Sequence, residues 1–168
     1  MASFDVLAII LTGIGLTVSI TYYTMVLKNQ NKTRQTQLFM QVFNRFQDPS
    51  FMKLHNEVMS REWTSFEDFV EKYDMPDDAL LSVQTYYEGV GVLLMKGMIS
   101  PDFVYELIPT MANVLWAKYE PLILIVRENW GYPQYWRPVE YLKDKMIEEA
   151  EKRGDPVILE RKQKEERQ

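Results

Sequence analysis

Asp5 and Lys28 enclose 22 uncharged residues, and only past Lys28 does the chain break into short apolar stripes spaced for helices. At 1.5 Å of rise per residue, a helix over residues 6–27 covers roughly 33 Å, close to the ~30 Å hydrocarbon thickness of a bilayer. The pattern predicts one transmembrane helix. Its alternative, a buried helix of a soluble protein, is disfavoured by the length of the uncharged run. A cleaved leader would carry a basic start, a shorter apolar stretch and a small-x-small site. Here the run starts after Asp5 and ends in Tyr22, Tyr23, Met25 and Leu27, so the segment is expected to remain as an anchor behind a short extension at residues 1–5. Neither glycine nor proline occurs between Leu16 and Asp48. The helix is therefore expected to run on through a polar linker at 28–37, giving one helix of about 43 residues and ~65 Å.

Beyond the linker, Leu38, Phe39, Val42, Phe43 and Phe46 share one helical face, which is expected to dock on a domain spanning 38–154. Asp48-Pro49 reads as cap and first-turn proline of a second helix ending near Arg61. Thr64 with Glu67, or Ser65 with Asp68, offers a capping box for a third. Pro76, Asp77 and Asp78 open a fourth, reaching about Met98. Gly89 and Gly91 inside it imply close approach of a neighbouring helix, since each costs about 1 kcal/mol in a helix interior. Ser100-Pro101-Asp102 starts the next, and Pro109 and Pro121 are expected to kink or break the second half. The apolar run at 122–126 is too short to cross a membrane. A final helix is expected over 139–153, closed by Gly154, and residues 155–168 form a charged tail. The predicted class is all-α, with one N-terminal transmembrane helix continuing into a small cytoplasmic helical bundle.

Composition narrows the function classes. Of the 168 residues, 46% are hydrophobic and 13% aromatic, enough for a core, and the net charge is −5. Nucleic-acid binding is unexpected, because that affinity comes largely from Lys and Arg neutralising phosphates. The absence of cysteine excludes disulfides, thiolate metal sites and thiol nucleophiles. Lys28, Lys32 and Arg34 follow the apolar run while Asp5 precedes it, so the positive-inside rule puts the N-terminus outside and the domain in the cytoplasm, on a cell membrane.

Chemistry-bearing patterns are sparse. His55 is the single histidine, and Met52 stands where a helical carboxylate site would need Glu three residues before it, so His55 reads as a helix-surface or boundary residue. Gly89-Val90-Gly91 follows no strand and lacks the third glycine of a dinucleotide fingerprint. Glu88 and Lys96 read as ion-paired or solvent-reaching. No catalytic, cofactor-binding or metal residues are assigned, and an enzyme is not expected. Two surfaces stand out instead. Thr12, Gly15, Ser19 and Tyr22, continuing from Ala8, form a small, hydroxylated face on the membrane helix, suited to another helix. Trp130, Tyr132, Tyr135, Trp136 and Arg137 cluster as a partner or ligand surface, the alternative being a loop folded over the helical core.

The helix 38–46 ending in Asp48-Pro49-Ser50-Phe51, then Tyr86-Tyr87-Glu88-Gly89-Val90-Gly91, Gly97-Met98-Ile99-Ser100, Trp116, Tyr119-Glu120-Pro121-Leu122-Ile123 and Arg127 together resemble the single-anchor proteins grouped as DUF4760, a domain of unknown function. The resemblance spans most of the chain. It implies a membrane-tethered helical domain and brings no catalytic residues or cofactor. The expected function is a membrane-anchored, non-catalytic interaction protein of the accessory or assembly-subunit kind. Its expected partners are the bilayer and a membrane protein or a second copy. The alternative is a membrane-tethered module that binds or senses a small molecule or lipid.

Overall fold

The computed structural model describes residues 2–73 and 77–155, with side chains from Phe4 onward. The described residues are all-helical: α1 (Ala2–Gln47), α2 (Pro49–Ser60), α3 (Phe66–Tyr73), α4 (Asp78–Met95), α5 (Pro101–Leu107), α6 (Met111–Asn129) and α7 (Arg137–Arg153). The chain forms two compact units, residues 1–37 and 38–168. Pro76 and most of the expected charged tail lie outside the described residues.

Within the first unit, the apolar segment that precedes the polar residues 28–37 is helical. Its side chains from Phe4 to Met25 are exposed, Val26 is partly covered, and the helix is long and apolar enough to cross a membrane. Five hydroxyls within it, on Thr12, Thr17, Ser19, Thr21 and Thr24, each donate to the main-chain carbonyl four residues earlier, at 2.7–2.8 Å.

The second unit begins with the stripe at the end of α1, where Val42 is buried and Phe39 and Phe46 pack against the core. Each helix start has a local cause. Asp48, extended at φ −61° and ψ 120°, accepts from the Ser50 N–H at 2.8 Å, and Pro49 occupies the first turn, where no N–H is needed. Ser65 Oγ accepts from the Asp68 N–H at 3.1 Å, while the Asp68 carboxylate reaches back to the Thr64 N–H at 2.8 Å. Asp77 caps α4 through the Ala79 and Leu80 N–H groups. Ser100 occupies the cap position of α5, yet its hydroxyl makes no cap bond.

The two prolines of the second half act differently. Pro109 lies in the break between α5 and α6, whereas Pro121 sits inside α6. Its side chain is on the exposed face, as is Ala117, whose carbonyl the proline cannot satisfy, so water can serve that group.

α7 is the centre of the bundle, packing on α4, α5 and α6, while α2 packs on α4. Val139, Leu142, Met146 and Ala150 recur every three to four residues along α7 and are wholly buried. The contact with α4 is tight at Gly91, where a Cβ would overlap the Pro138 carbonyl and stand 3.0 Å from Pro138 Cβ. Gly89, by contrast, faces open space. One of the two glycines therefore carries the close approach that the sequence suggested for both.

Candidate functional site

The aromatic segment between α6 and α7 is where burial and backbone depart most from ordinary helix chemistry. α6 ends at the Trp130 cap, Gly131 takes φ 61°, and Trp136 takes φ 59° and ψ 16° just before α7. Trp136 is the one described residue other than glycine at positive φ. Holding an L-residue there costs roughly 1–3 kcal/mol and persists only where the surroundings impose it. Here the imposing element is packing: the Trp136 ring is 1% exposed and lies 5.8 Å from the Tyr119 ring, centroid to centroid. Arg127 braces the segment from α6, donating from Nε to the Tyr135 carbonyl at 2.9 Å and pairing with Glu140 at 2.8 Å.

The five residues singled out from sequence consequently do not form one surface. Trp130 and Tyr132 are exposed at 60% and 55%, and Arg137 is exposed and donates to Gln134 Oε1 at 2.8 Å. Tyr135 is half-buried and Trp136 is core. The candidate surface of five residues is corrected accordingly, and the alternative, a loop folded over the helical core, describes Tyr135 and Trp136. The loop turns its second half inward because the tyrosine and tryptophan there complete the wall over α6.

Trp136 lines a small, mostly enclosed cavity of about 20 Å³ with Phe66, Phe69, Tyr119, Leu122 and Val126 among its neighbours. Its Nε1 is buried and makes no hydrogen bond. A buried donor without an acceptor costs about 1–3 kcal/mol and calls for an explanation. Burial raises the Tyr135 hydroxyl pKa and hydrogen bonding toward the Trp136 side chain partly offsets this, so the Tyr135 hydroxyl is the group placed to answer the indole N–H.

A larger cleft, about 530 Å³ and open to solvent, is lined by Arg61, Glu62, Trp63, Thr64, Lys72 and Lys118. Its cations are already engaged. Arg61 is buried against Asp77 and also reaches Glu57, Lys72 pairs with Asp68 at 3.0 Å, and Lys118 donates to the Arg61 carbonyl at 2.5 Å beneath the Trp63 ring. Carboxylates outnumber cations in this group, so the cleft has no surplus charge for an anion. Its polar groups tie the α2–α3 loop to α6.

His55 is also placed differently from expectation. It is 4% exposed on the same face of α2 as Phe51 and Val58, and its Nε2 lies 3.1 Å from the Tyr87 hydroxyl. Burial holds its pKa below the usual imidazole value. The spacing 51, 55, 58 was the available signal, because it places His55 on the apolar stripe. Glu88 is half-buried and accepts from Gln84 Nε2 at 3.2 Å, and Lys96 is exposed at the end of α4.

On α1, Thr12, Gly15, Ser19 and Tyr22 are exposed, and Gly15 has open space around it. The Thr12 and Ser19 hydroxyls are bonded to Ala8 and Gly15 of their own helix.

The family model for DUF4760, a domain of unknown function, matches residues 9–146. The chain belongs to the DUF4760 family. The DUF4760 match starts within the apolar segment of α1 and ends within α7, so it takes in both units and the aromatic segment. No curated protein matches the chain, and no solved structure does.

Proposed function

We propose that this DUF4760 protein is a membrane-anchored, non-catalytic interaction protein of the accessory or assembly-subunit kind, with its helical domain in the cytoplasm. The observation that carries the reading is the apolar segment of α1, whose side chains from Phe4 to Met25 are all exposed. An apolar surface of that length is tolerated in lipid or against a partner, and far less in water. The hydroxyls bonded within the helix are compatible with lipid, where unsatisfied polar groups are costly. Lys28, Lys32 and Arg34 favour a cytoplasmic domain. The Thr12, Gly15, Ser19 and Tyr22 face is the proposed contact with a membrane-protein partner or a second copy.

The test is extraction of the full chain in mild detergent followed by identification of stoichiometric companions, beside a Gly15→Leu variant. A retained companion that Gly15→Leu releases supports the reading. A stable monomer without companions across several gentle extractions, and without crosslinked neighbours in membranes, overturns it.

A further inference from the structure

The turn between α4 and α5 holds an apolar patch around an unpaired lysine. α4 closes on Gly97 at φ 62°, whose N–H bonds to the Leu94 carbonyl at 2.9 Å, while the Met98 N–H bonds to the Leu93 carbonyl at 2.9 Å. These are the two bonds that end a helix on a left-handed residue, so the turn is fixed by its own main chain. Val92, Met95 and Met98 around it are 39–42% exposed. Val92 and Met95 are neighbours one turn apart on α4, with Lys96 beside them. The Lys96 ammonium makes no ion pair or hydrogen bond among the described residues. Asp102, the carboxylate closest to it along the chain, lies in the first turn of α5, where the helix dipole favours it.

Chain connectivity and charge indicate what covers this patch. The Phe103 ring, early in α5, lies 5.4 Å from the Phe39 ring, and both pack against the core. Phe39 stands two residues past the polar linker, so the α4–α5 turn belongs to the part of the domain that takes up the chain from the anchor. The linker, residues 28–37, makes only roughly 15 Å of helix. We propose that the α4–α5 turn is a second membrane contact, resting on the headgroup surface of the bilayer that holds α1. Lys96 meets lipid phosphate there, and Val92, Met95 and Met98 lie against the region where headgroups meet acyl chains. A lysine stem laid along apolar side chains with its ammonium in the polar layer is the arrangement such an interface favours. One cation near an anionic surface contributes roughly fivefold in affinity, so the contact is weak by itself. The tether makes it intramolecular and raises its effective concentration. The proposal rests on the anchoring of α1 in lipid and is independent of the partner assigned to the Gly15 face.

The experiment follows the isotope-labelled methyl resonances of the methionines in the full, unmodified chain. The protein is held in nanodiscs of phosphatidylcholine and phosphatidylglycerol containing a lipid spin-labelled at its headgroup. Met25, exposed in the apolar segment of α1, reports on the anchor, and Met146, wholly buried on α7, is the blank. The expected result is broadening of Met95 and Met98 well above Met146, with a soluble paramagnetic chelate broadening them less than the lipid probe does. Lys96→Glu, at an exposed position, should reduce the lipid-dependent broadening at Met95 and Met98 by roughly fivefold while Met25 and Met146 keep their signals. Broadening of Met95 and Met98 by the soluble chelate alone would place the turn in water. Protection from both probes would mean that a second copy or another protein covers it. Either result, or broadening that Lys96→Glu leaves unchanged, overturns the proposal while a broadened Met25 leaves the anchor standing. A Met25 signal untouched by the lipid probe would instead overturn the anchor, and this proposal with it.

Discussion

Placing a methyl group at Gly91 and at Gly89 separates helix propensity from helix packing within one helix. Both glycines lie inside α4. At Gly89 nothing lies near the new Cβ. Gly89→Ala should therefore stabilise the domain by about 0.5–1 kcal/mol, the ordinary gain from replacing glycine in a helix. At Gly91 the new Cβ would overlap the Pro138 carbonyl, with the carbonyl carbon 2.6 Å away, and a main-chain group of a helix start cannot step aside as a flexible side chain can. α4 and α7 must move apart, and overpacking of this kind costs about 1–3 kcal/mol, set against the same propensity gain as at Gly89. The movement is resisted along α7, because Val139, Leu142 and Met146 are wholly buried and each stabilises by roughly 1.5–3 kcal/mol. The two variants should differ by about 1–3 kcal/mol net, or roughly 4–12 °C in melting temperature at ~4 °C per kcal/mol. The assay is thermal and urea unfolding of the full chain in detergent, followed by tryptophan emission. Equal stability of the two alanine variants would refute the close α4–α7 approach.

Other predictions test the remaining buried polar groups and the orientation. Burial lowers the pKa of folded His55, so the unfolded chain binds the proton more readily and stability should fall as pH drops below about 6.5, by at most ~1.4 kcal/mol per pH unit. Above that value the contribution is fully present, and His55→Gln should flatten the slope; unchanged pH dependence of unfolding in that variant would count against the assignment. Asp77 both pairs with Arg61 and caps α4, so Asp77→Ala should destabilise by about 3–5 kcal/mol. Arg61→Met leaves the carboxylate held by two backbone N–H groups and should cost less, a ranking that urea midpoints can reverse or sustain. Thr85 is exposed and the chain has no cysteine, so Thr85→Cys should escape an impermeant thiol reagent in intact cells and react after lysis; labelling in intact cells refutes the cytoplasmic placement.

Helix limits were legible where their causes are local. Asp48-Pro49, Ser65 with Asp68, Asp77 and Gly154 each satisfy or release main-chain groups within a few residues, and the helices start or stop there. The apolar stripe of residues 38–46 was equally readable from its period. What escaped was the consequence of tertiary contact. The register of α4 puts Gly91 on the buried stripe with Tyr87 and Leu94 and Gly89 off it, but the close approach itself is made by Pro138, 47 residues on. His55 looked like a boundary residue because its type is polar, while its register with Phe51 and Val58 sends it inward to Tyr87. For Trp136 the sequence left two alternatives, a partner surface or a loop folded over the core, and the left-handed turn that brings its ring to 5.8 Å from Tyr119 of α6 is a tertiary contact no local pattern encodes.

The same distinction sharpens the reading of α1. From sequence, the hydroxyls of Thr12 and Ser19 were offered to a neighbouring helix, since a hydroxyl in lipid needs a partner. In the helix that need is met at 2.8 Å by the carbonyls of Ala8 and Gly15. A hydroxyl so engaged still has acceptor capacity, but little remains to be gained by bringing a second helix to it. Association through this face should then depend on shape, on how closely a backbone can approach Gly15, rather than on hydrogen bonds across the contact. Ser19→Ala leaves the approach open and Gly15→Leu closes it. A partner lost with the alanine and kept with the leucine would mean that the hydroxyl, and not the absent side chain, is what the neighbouring helix recognises.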